Sequence, residues 1–562
     1  MIRYLALAAD YDGTLAHDGR VAESTVKALE SLKESDRRLV MVTGRELDQL
    51  QEVFPRLDLF DRVVAENGLL LFRPDSKEEV SLAGTPRDEF IEALKKRDVP
   101  FSVGRSIVAT VKPHEGAVLE AIEETGLELE IIFNKGAVMV LPSGHNKATG
   151  LEKALRELRL SAHNVVGVGD AENDHAFLSL CELSVAVANS VETLKERADH
   201  VTEGERGSGI EELIDALLDD DLRSMKPKKH VVIGEREDGR PVWFEPHGTN
   251  VLVAGPSGSG KSSATTALIE RLADAHYQFC LIDPEGDYEN FEVGVVLGDT
   301  SHAPGTSEIL QVLENPDDNV VVNLLDVPLA DRPAYFDGLI GRLAESRAAT
   351  GRPHWIVIDE AHHLLPAERG ATITLPNETT GLLMITVHPE HVAAQALASM
   401  DVLLAVGPRP GETLAAFAGA MEEEAPDGAP DDQRSGWAVA WLRRTGEVVP
   451  FKLAKARMDR RRHRRKYAEG ELKPERSFYF TGPEGRLNIR AQNLVLFCQI
   501  GEGLDEETWG HHLRQGDYAT WFREIIKDDE LAEAAEKLED LPVEEARPKL
   551  REAIERAYTL PA

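Results

Sequence analysis

The chain has 562 residues, of which 42% are hydrophobic and 29% charged, and its formal net charge is −36. That length calls for about three or four domains rather than one core, and the composition is that of folded globular protein, not of a disordered or fibrous chain. The negative charge disfavours diffuse binding to nucleic acid or to an anionic membrane, and no apolar run approaches the roughly 18 residues that a membrane span needs.

In chain order, Met1 to Ala9 leads straight into the first motif, so no signal peptide is expected and the cytoplasm is the expected location. Residues 1–217 alternate short apolar runs with amphipathic helices. Strands are predicted at 3–9, 39–43, 63–65 and 164–168 and a helix at 151–158, a rhythm that reads as a parallel α/β sheet. Asp219-Asp220-Asp221 and Met225-Lys226-Pro227-Lys228-Lys229 mark a linker over 218–229. A second α/β block spans 230–457, with an acidic Pro- and Gly-rich surface loop at 422–434. A basic linker at 458–476 contains Arg460-Arg461-Arg462-His463-Arg464-Arg465-Lys466, and 477–562 reads as a small helical domain. Cys181, Cys280 and Cys498 lie far apart in apolar surroundings and read as buried free thiols.

Four segments of the first block fit one phosphate site. Asp10-Tyr11-Asp12-Gly13-Thr14-Leu15 places Asp10 and Asp12 at the carboxyl end of the first strand, where open α/β sheets bind ligands. A nucleophile and a proton donor can flank one phosphate from such alternating positions. Thr43-Gly44-Arg45 adds a hydroxyl and backbone N–H groups, and Lys147 can neutralise the nucleophile and the phosphoryl oxygens. Gly169-Asp170-Ala171-Glu172-Asn173-Asp174 supplies further carboxylates for a hard cation, and Mg²⁺ prefers such oxygen ligands.

This ordered set resembles the haloacid dehalogenase superfamily of phosphohydrolases, and the Gly-Asp-x-x-Asn-Asp form with an insertion between Thr43 and Lys147 is similar to its Cof-type (IIB) branch. The resemblance implies that Asp10 forms an aspartyl-phosphate and that Asp12 is the general acid/base. It further implies that Thr43 and Lys147 bind phosphate. Mg²⁺ is then held by Asp10, the Asp12 backbone carbonyl and Asp170, with Asp174 in support. Residues 85–145 are expected to form an α/β cap over the substrate. Arg105 and Asn134 are its specificity candidates, each more simply read as surface or structural. The substrate stays open between a phosphorylated small molecule and a nucleic-acid end.

The second block opens with Gly255-Pro256-Ser257-Gly258-Ser259-Gly260-Lys261-Ser262, between a predicted strand at 250–254 and a predicted helix at 263–273. That is the context of a P-loop, whose N–H groups and helix N-terminus cradle phosphates. Gly255, Gly258, Ser259, Gly260, Lys261, Ser262 and Ser263 are the expected ATP-binding set, with Lys261 on the β and γ phosphates and Ser262 on Mg²⁺. An apolar strand at 354–358 ends in Asp359-Glu360, where the aspartate suits the magnesium shell and the glutamate suits activation of water. Predicted strands at 278–282 and 382–387 lead into Asp283-Pro284-Glu285-Gly286-Asp287-Tyr288 and into His388, the candidate γ-phosphate sensor.

Together these features resemble the HerA/FtsK superfamily of ring-forming ATPases, over about residues 230–457. The resemblance implies a RecA-like domain, a homo-oligomer such as a hexamer, and DNA as a candidate partner. His388 stands where that superfamily often has glutamine, and the usual N-terminal barrel is replaced by a short segment at 231–245. Arg409 and Arg434 are candidate arginine fingers. The basic run reads first as a solvated segment paired with the chain's many acids, and second as a nucleic-acid contact. Trp509, His512, Trp521 and Phe522 read as core of the C-terminal domain.

The expected fold class is therefore α/β: a Rossmann-like phosphatase domain with an α/β cap, a RecA-like P-loop ATPase domain, then the helical domain. The expected function is an Mg²⁺-dependent phosphohydrolase fused to an ATP-hydrolysing ring-type ATPase, with no membrane partner. A polynucleotide kinase–phosphatase that heals nucleic-acid ends, and a nucleotide-dependent scaffold with little phosphatase activity, are the alternatives.

Overall fold

A computed structural model describes residues 3–558 apart from 135, 257–258, 290, 369–374, 376–378, 431, 458–471, 473, 484, 486 and 527. Gly258, the basic run at 460–466 and the side chain of Asn134 thus lie outside what is described. The chain divides into two compact units. One comprises Met1–His230, Leu310–Asp318 and Arg342–His354, and the other Val231–Ile309, Asn319–Gly341 and Trp355–Ala562.

The first unit is built on an eight-stranded sheet. Its order is His200–Val201, Leu183–Ala186, Val165–Gly169, Ala6–Ala9, Arg38–Val42, Arg62–Ala65, Leu70–Arg73 and Glu78–Ser81. The first six strands run parallel and the last two fold back antiparallel. Strand Ala6–Ala9 is buried along its whole length, as a parallel strand covered on both faces must be. Its alternation divides it between two cores. Leu7 and Ala9 pack with Leu29, Leu32, Ile210 and Leu213, whereas Ala6 and Ala8 pack with Leu151, Leu155 and Phe177. Helix Gly207–Asp220 runs into the stretch expected as linker. Asp221 behind it is no solvated acid: it takes the Arg37 guanidinium at 3.1 Å, and Leu222 beside it is buried.

Between Glu78–Ser81 and residue 147 the chain forms a separate four-stranded antiparallel sheet, ordered Leu129–Asn134, Ala137–Pro142, Val108–Val111 and Ser102–Val103. Helices Asp88–Lys95 and Glu115–Thr125 cover one face through Phe90, Leu94, Val118, Val138 and Val140. From the other face Ile107, Met139 and Leu141 meet Leu69.

The second unit holds an eleven-stranded sheet. Its order is Pro241–Phe244, Val231–Glu235, Glu447–Leu453, Trp437–Leu442, Val402–Val406, Val251–Ala254, Leu382–Thr386, Trp355–Ile358, Phe279–Asp283, Val320–Asn323 and Val295–Leu297. From Val402–Val406 onward all strands are parallel; the four before it are antiparallel. The 231–245 segment is thus an antiparallel hairpin on the sheet edge.

A further core near the C-terminus opens on a strand pair, Phe478–Phe480 with Ile489–Ala491, before its helices begin. Trp509, Trp521 and Phe522 are buried in it. His512 ties this core together, since its Nε2 accepts the Thr481 N–H at 3.0 Å while Nδ1 faces Asp517 at 2.7 Å. The three cysteines are free, Cys181 and Cys280 buried and Cys498 partly so. Among the described residues no helix is long and apolar enough to cross a membrane.

Candidate active sites

Strands Ala6–Ala9 and Val165–Gly169 lie side by side and in parallel, so the residues that follow them emerge at one edge of the sheet. This brings Asp10 next to the 170–174 loop, and the Asp10 N–H donates to the Val168 carbonyl at 3.0 Å. Lys147 is the first residue of helix Lys147–Leu158. Asn146 caps that helix by accepting the N–H groups of Ala148 and Thr149 at 2.9 and 3.2 Å. The lysine is only 1% exposed, and its Nζ donates to Asp10 Oδ1 and to Asp174 Oδ1, both at 2.6 Å. Asp174 Oδ2 in turn accepts the N–H groups of Asp170 and Ala171 at 2.8 and 2.9 Å. The Thr14 hydroxyl donates to Asp170 Oδ1 at 3.4 Å.

Three buried carboxylates therefore share this pocket with Lys147. Burial first, and then the Asp174 charge, push the Asp10 carboxyl up to about 8, against the pull of Lys147. Burial acts to lower Lys147, but Asp10 and Asp174 outweigh it and hold the ammonium above its ordinary value. Ligand oxygens of Asp10, Asp170 and Asp174 lie within 4.8 Å of one another. An all-oxygen, buried and close-set donor group with excess negative charge fits a hard divalent cation such as Mg²⁺.

The Asp12 carboxylate stands apart from this trio. Arg45 grips it with two N–H groups, Nε at 2.6 Å and Nη2 at 2.7 Å. In the sequence Arg45 reads only as part of the Thr-Gly-Arg turn; a basic residue on the strand end facing an aspartate loop is the available signal. Thr43 is buried, and its hydroxyl accepts the Arg45 N–H at 3.2 Å. The Arg105 guanidinium is engaged by carboxylates, Asp48 at 2.8 and 3.0 Å and Glu79 at 3.0 Å.

Gly68 sits under the start of the Lys147 helix with φ +103°, and a Cβ there would stand 1.9 Å from the Asn146 carbonyl oxygen. Gly68→Ala is expected to lower stability by roughly 3 kcal/mol, from left-handed strain and backbone overlap together. Gly126, at φ +63° with open space around it, isolates the first term, so Gly126→Ala should cost only about 1 kcal/mol. Urea unfolding of both variants checks the difference; equal midpoints would show that the 68–146 contact is soft.

In the second unit, strand Val251–Ala254 runs into the P-loop and helix Lys261–Asp274 leaves it. Gly255 has φ +155°, and a Cβ there would fall 1.9 Å from the Val406 carbonyl oxygen; Gly260 has φ +95°. The Lys261 ammonium donates to the Gly255 and Pro256 carbonyls at 2.7 and 2.8 Å. The Ser259 hydroxyl is buried with no hydrogen-bond partner among the described residues. Ser262 and Ser263 lie in the first turn of the helix.

Strand Leu382–Thr386 separates the P-loop strand from Trp355–Ile358, so Asp359 and Glu360 stand across it from the loop at the same sheet edge. Asp359 is buried, and burial first, then Glu360, Asp287 and Asp283, raise its carboxyl well above the usual range. Glu360 takes a left-handed backbone, φ 43°, and its Oε2 lies 3.5 Å from His362 Nδ1. The His388 N–H donates to the Thr386 hydroxyl at 3.1 Å, and its half-exposed ring faces Glu390, also at 3.1 Å. Asp283 caps its own loop, accepting the N–H groups of Glu285, Gly286, Asp287 and Tyr288. His362, His363, His388 and His391 form a string of neighbouring rings beside Glu360 that sequence reading misses, because the pairs come together only when two strand ends align. Burial and these neighbours lower His362 to about 4. Arg409 is exposed and paired with Glu412; Arg434 is exposed, near Glu237 and over the Trp437 ring.

An α/β fold that gathers Asp10, Asp170, Asp174 and Lys147 at one end of its sheet has the donor set of a phosphohydrolase. Residues 7–114 and 120–214 match the haloacid dehalogenase-like hydrolase family, and residues 248–345 match the central domain of helicase HerA. Phosphoglycolate phosphatase 2 of Saccharolobus solfataricus is 31% identical over 220 residues, 38% of this chain and 92% of that protein. The phosphoglycolate phosphatase of Methanothermobacter thermautotrophicus is 31% identical over 216 residues, 37% of this chain and 96% of its own length. That of Haloarcula marismortui is 30% identical over 218 residues, 37% and 95%. Among solved structures, a haloacid dehalogenase-like hydrolase from Bacteroides thetaiotaomicron aligns over 38% of this chain and 99% of its own at 17% identity, with a TM-score of 0.34. Through its N-terminal part the chain belongs to the haloacid dehalogenase-like hydrolases, and it joins such a phosphatase to a HerA-type ATPase domain in one enzyme.

Proposed function

We propose that the N-terminal unit is an Mg²⁺-dependent phosphomonoesterase working through an aspartyl-phosphate on Asp10. The observation that carries this is the buried Asp10, held 2.6 Å from Lys147 beside Asp170 and Asp174. Asp10 attacks phosphorus as the ester P–O bond breaks, and Asp12, protonated once one of its two Arg45 bonds is released, gives its proton to the departing alkoxide. Water, deprotonated by Asp12, then attacks the same phosphorus and frees phosphate and Asp10. Thr43 and Lys147 hold the phosphoryl oxygens through both steps. Bound by Asp10, Asp170 and the Asp12 carbonyl, with Asp174 in support, Mg²⁺ would supply charge neutralisation for the phosphoryl group.

A small organic phosphomonoester is the substrate class, and the relatives named phosphoglycolate phosphatases support 2-phosphoglycolate as the first compound to try. Release of phosphate from 2-phosphoglycolate should require Mg²⁺ and fall at least about 100-fold in excess EDTA. Turnover that survives chelation, or no turnover with Mg²⁺, would sink the reading.

The second unit is read as an ATPase that binds ATP through Gly255, Ser259, Gly260, Lys261, Ser262 and Ser263. Asp359 serves the cation shell with Ser262, and Glu360 activates the attacking water. That pairing supports hydrolysis over transfer to a nucleic-acid 5′-hydroxyl. The match to a helicase domain supports DNA as the polymer and a homo-oligomeric ring as the working form, with Arg409 or Arg434, both exposed, reaching a neighbouring subunit. His388 is the candidate sensor. ATP turnover measured with and without double-stranded DNA checks the DNA assignment, which indifference to DNA would remove.

A further inference from the structure

The turn Glu66-Asn67-Gly68, which follows strand Arg62–Ala65, touches three parts of the phosphatase unit that the reaction must bring together. Glu66 is 1% exposed, and its carboxylate accepts three backbone N–H groups of the cap: Arg105 and Ser106 at 2.8 Å and Ile107 at 3.2 Å. Gly104 makes room for this, since a Cβ there would lie 2.7 Å from the Glu66 carboxyl carbon. Buried Asn67 accepts from Asn173 Nδ2 at 3.2 Å, inside the loop that carries Asp170 and Asp174. Gly68 fits beneath the Asn146 carbonyl, one residue before Lys147.

Glu66 and Asn67 both adopt left-handed backbone, φ 51° and 57°. Such backbone is disfavoured for residues with a side chain, and two in succession persist only where the surroundings fix them. A carboxylate buried this deeply is held by its charge-assisted bonds, so moving residues 105–107 of the cap away from Glu66 leaves it uncompensated.

We propose that this turn couples the cap to the metal-binding loop: Glu66 holds the cap through 105–107, Asn67 relays its position to Asn173, and both are positioning residues for phosphoryl transfer. The proposal rests on the phosphatase reading. By reciprocity, a cation that orders the Asp170–Asp174 loop must also tighten the cap.

The test is hydrogen exchange at the amides of Arg105, Ser106 and Ile107 in the full chain, with and without Mg²⁺. Asn67→Gly keeps the left-handed backbone without steric cost and deletes only the carboxamide; Asn173→Ala removes the same bond from its other end. Mg²⁺ should slow exchange about tenfold in the unmodified protein and less than about twofold in either variant. Equal slowing in all three, or none in the unmodified protein, overturns the coupling. Hydrolysis of 2-phosphoglycolate is read separately, so an inactive protein with coupled exchange would count against the phosphatase reading and for the coupling.

Discussion

Asp10→Asn is expected to lower phosphomonoester hydrolysis at least about 10⁴-fold, while ATP turnover stays within about twofold of the unmodified protein. An amide oxygen cannot displace the alkoxide, and the neighbouring carboxylates are engaged: Asp174 holds Lys147 and two backbone N–H groups, Asp170 accepts the Thr14 hydroxyl, and Asp12, outside the cluster, is gripped by Arg45. The fold should survive. Burial already disfavours the charged form of Asp10, and asparagine can still accept from Lys147. Colorimetric phosphate release from 2-phosphoglycolate and from ATP, measured on one preparation, decides the matter. Hydrolysis retained at more than about a hundredth of the original rate would mean that another group is the nucleophile.

Glu360→Gln should slow ATP hydrolysis by about 10²- to 10³-fold with nucleotide affinity nearly unchanged. The side chain keeps its size and its place behind Asp359 but loses the basicity that activates water. Lys261→Ala makes the contrast, since it should abolish nucleotide binding itself. Binding of a fluorescent ATP analogue, set beside phosphate release, separates the two. Should Glu360→Gln lose binding and turnover together, Glu360 is holding the site's shape, as its left-handed backbone and its neighbour His362 would then explain.

Both strand-end motifs are legible in the sequence because each joins a short apolar run to a loop whose residue types have few other uses. The apolar runs at 164–168 and 354–358 coincide within a residue with strands Val165–Gly169 and Trp355–Ile358. Sidedness is also legible, since every motif expected at a carboxyl strand end is found there. What escapes are partnerships set by register between distant strands. Nothing local to Arg45 says that it will clamp Asp12, and nothing local to Glu66 says that it will carry three cap amides. Asn67-Gly68 after an apolar run does announce a turn, but not that the turn is buried. Asp221 misleads for the opposite reason: an acidic run looks solvated until Arg37, far away in sequence, folds onto it.

The resting place of Lys261 has a consequence for traffic between the two chemistries. Both phosphoester and ATP hydrolysis release orthophosphate, and the P-loop is shaped to hold phosphate. Among the described residues the Lys261 ammonium is bonded to the Gly255 and Pro256 carbonyls. An incoming group must exchange those two bonds for better ones. A polyphosphate chain with a cation in tow can make that exchange, whereas a lone phosphate ion surrenders its hydration for little in return.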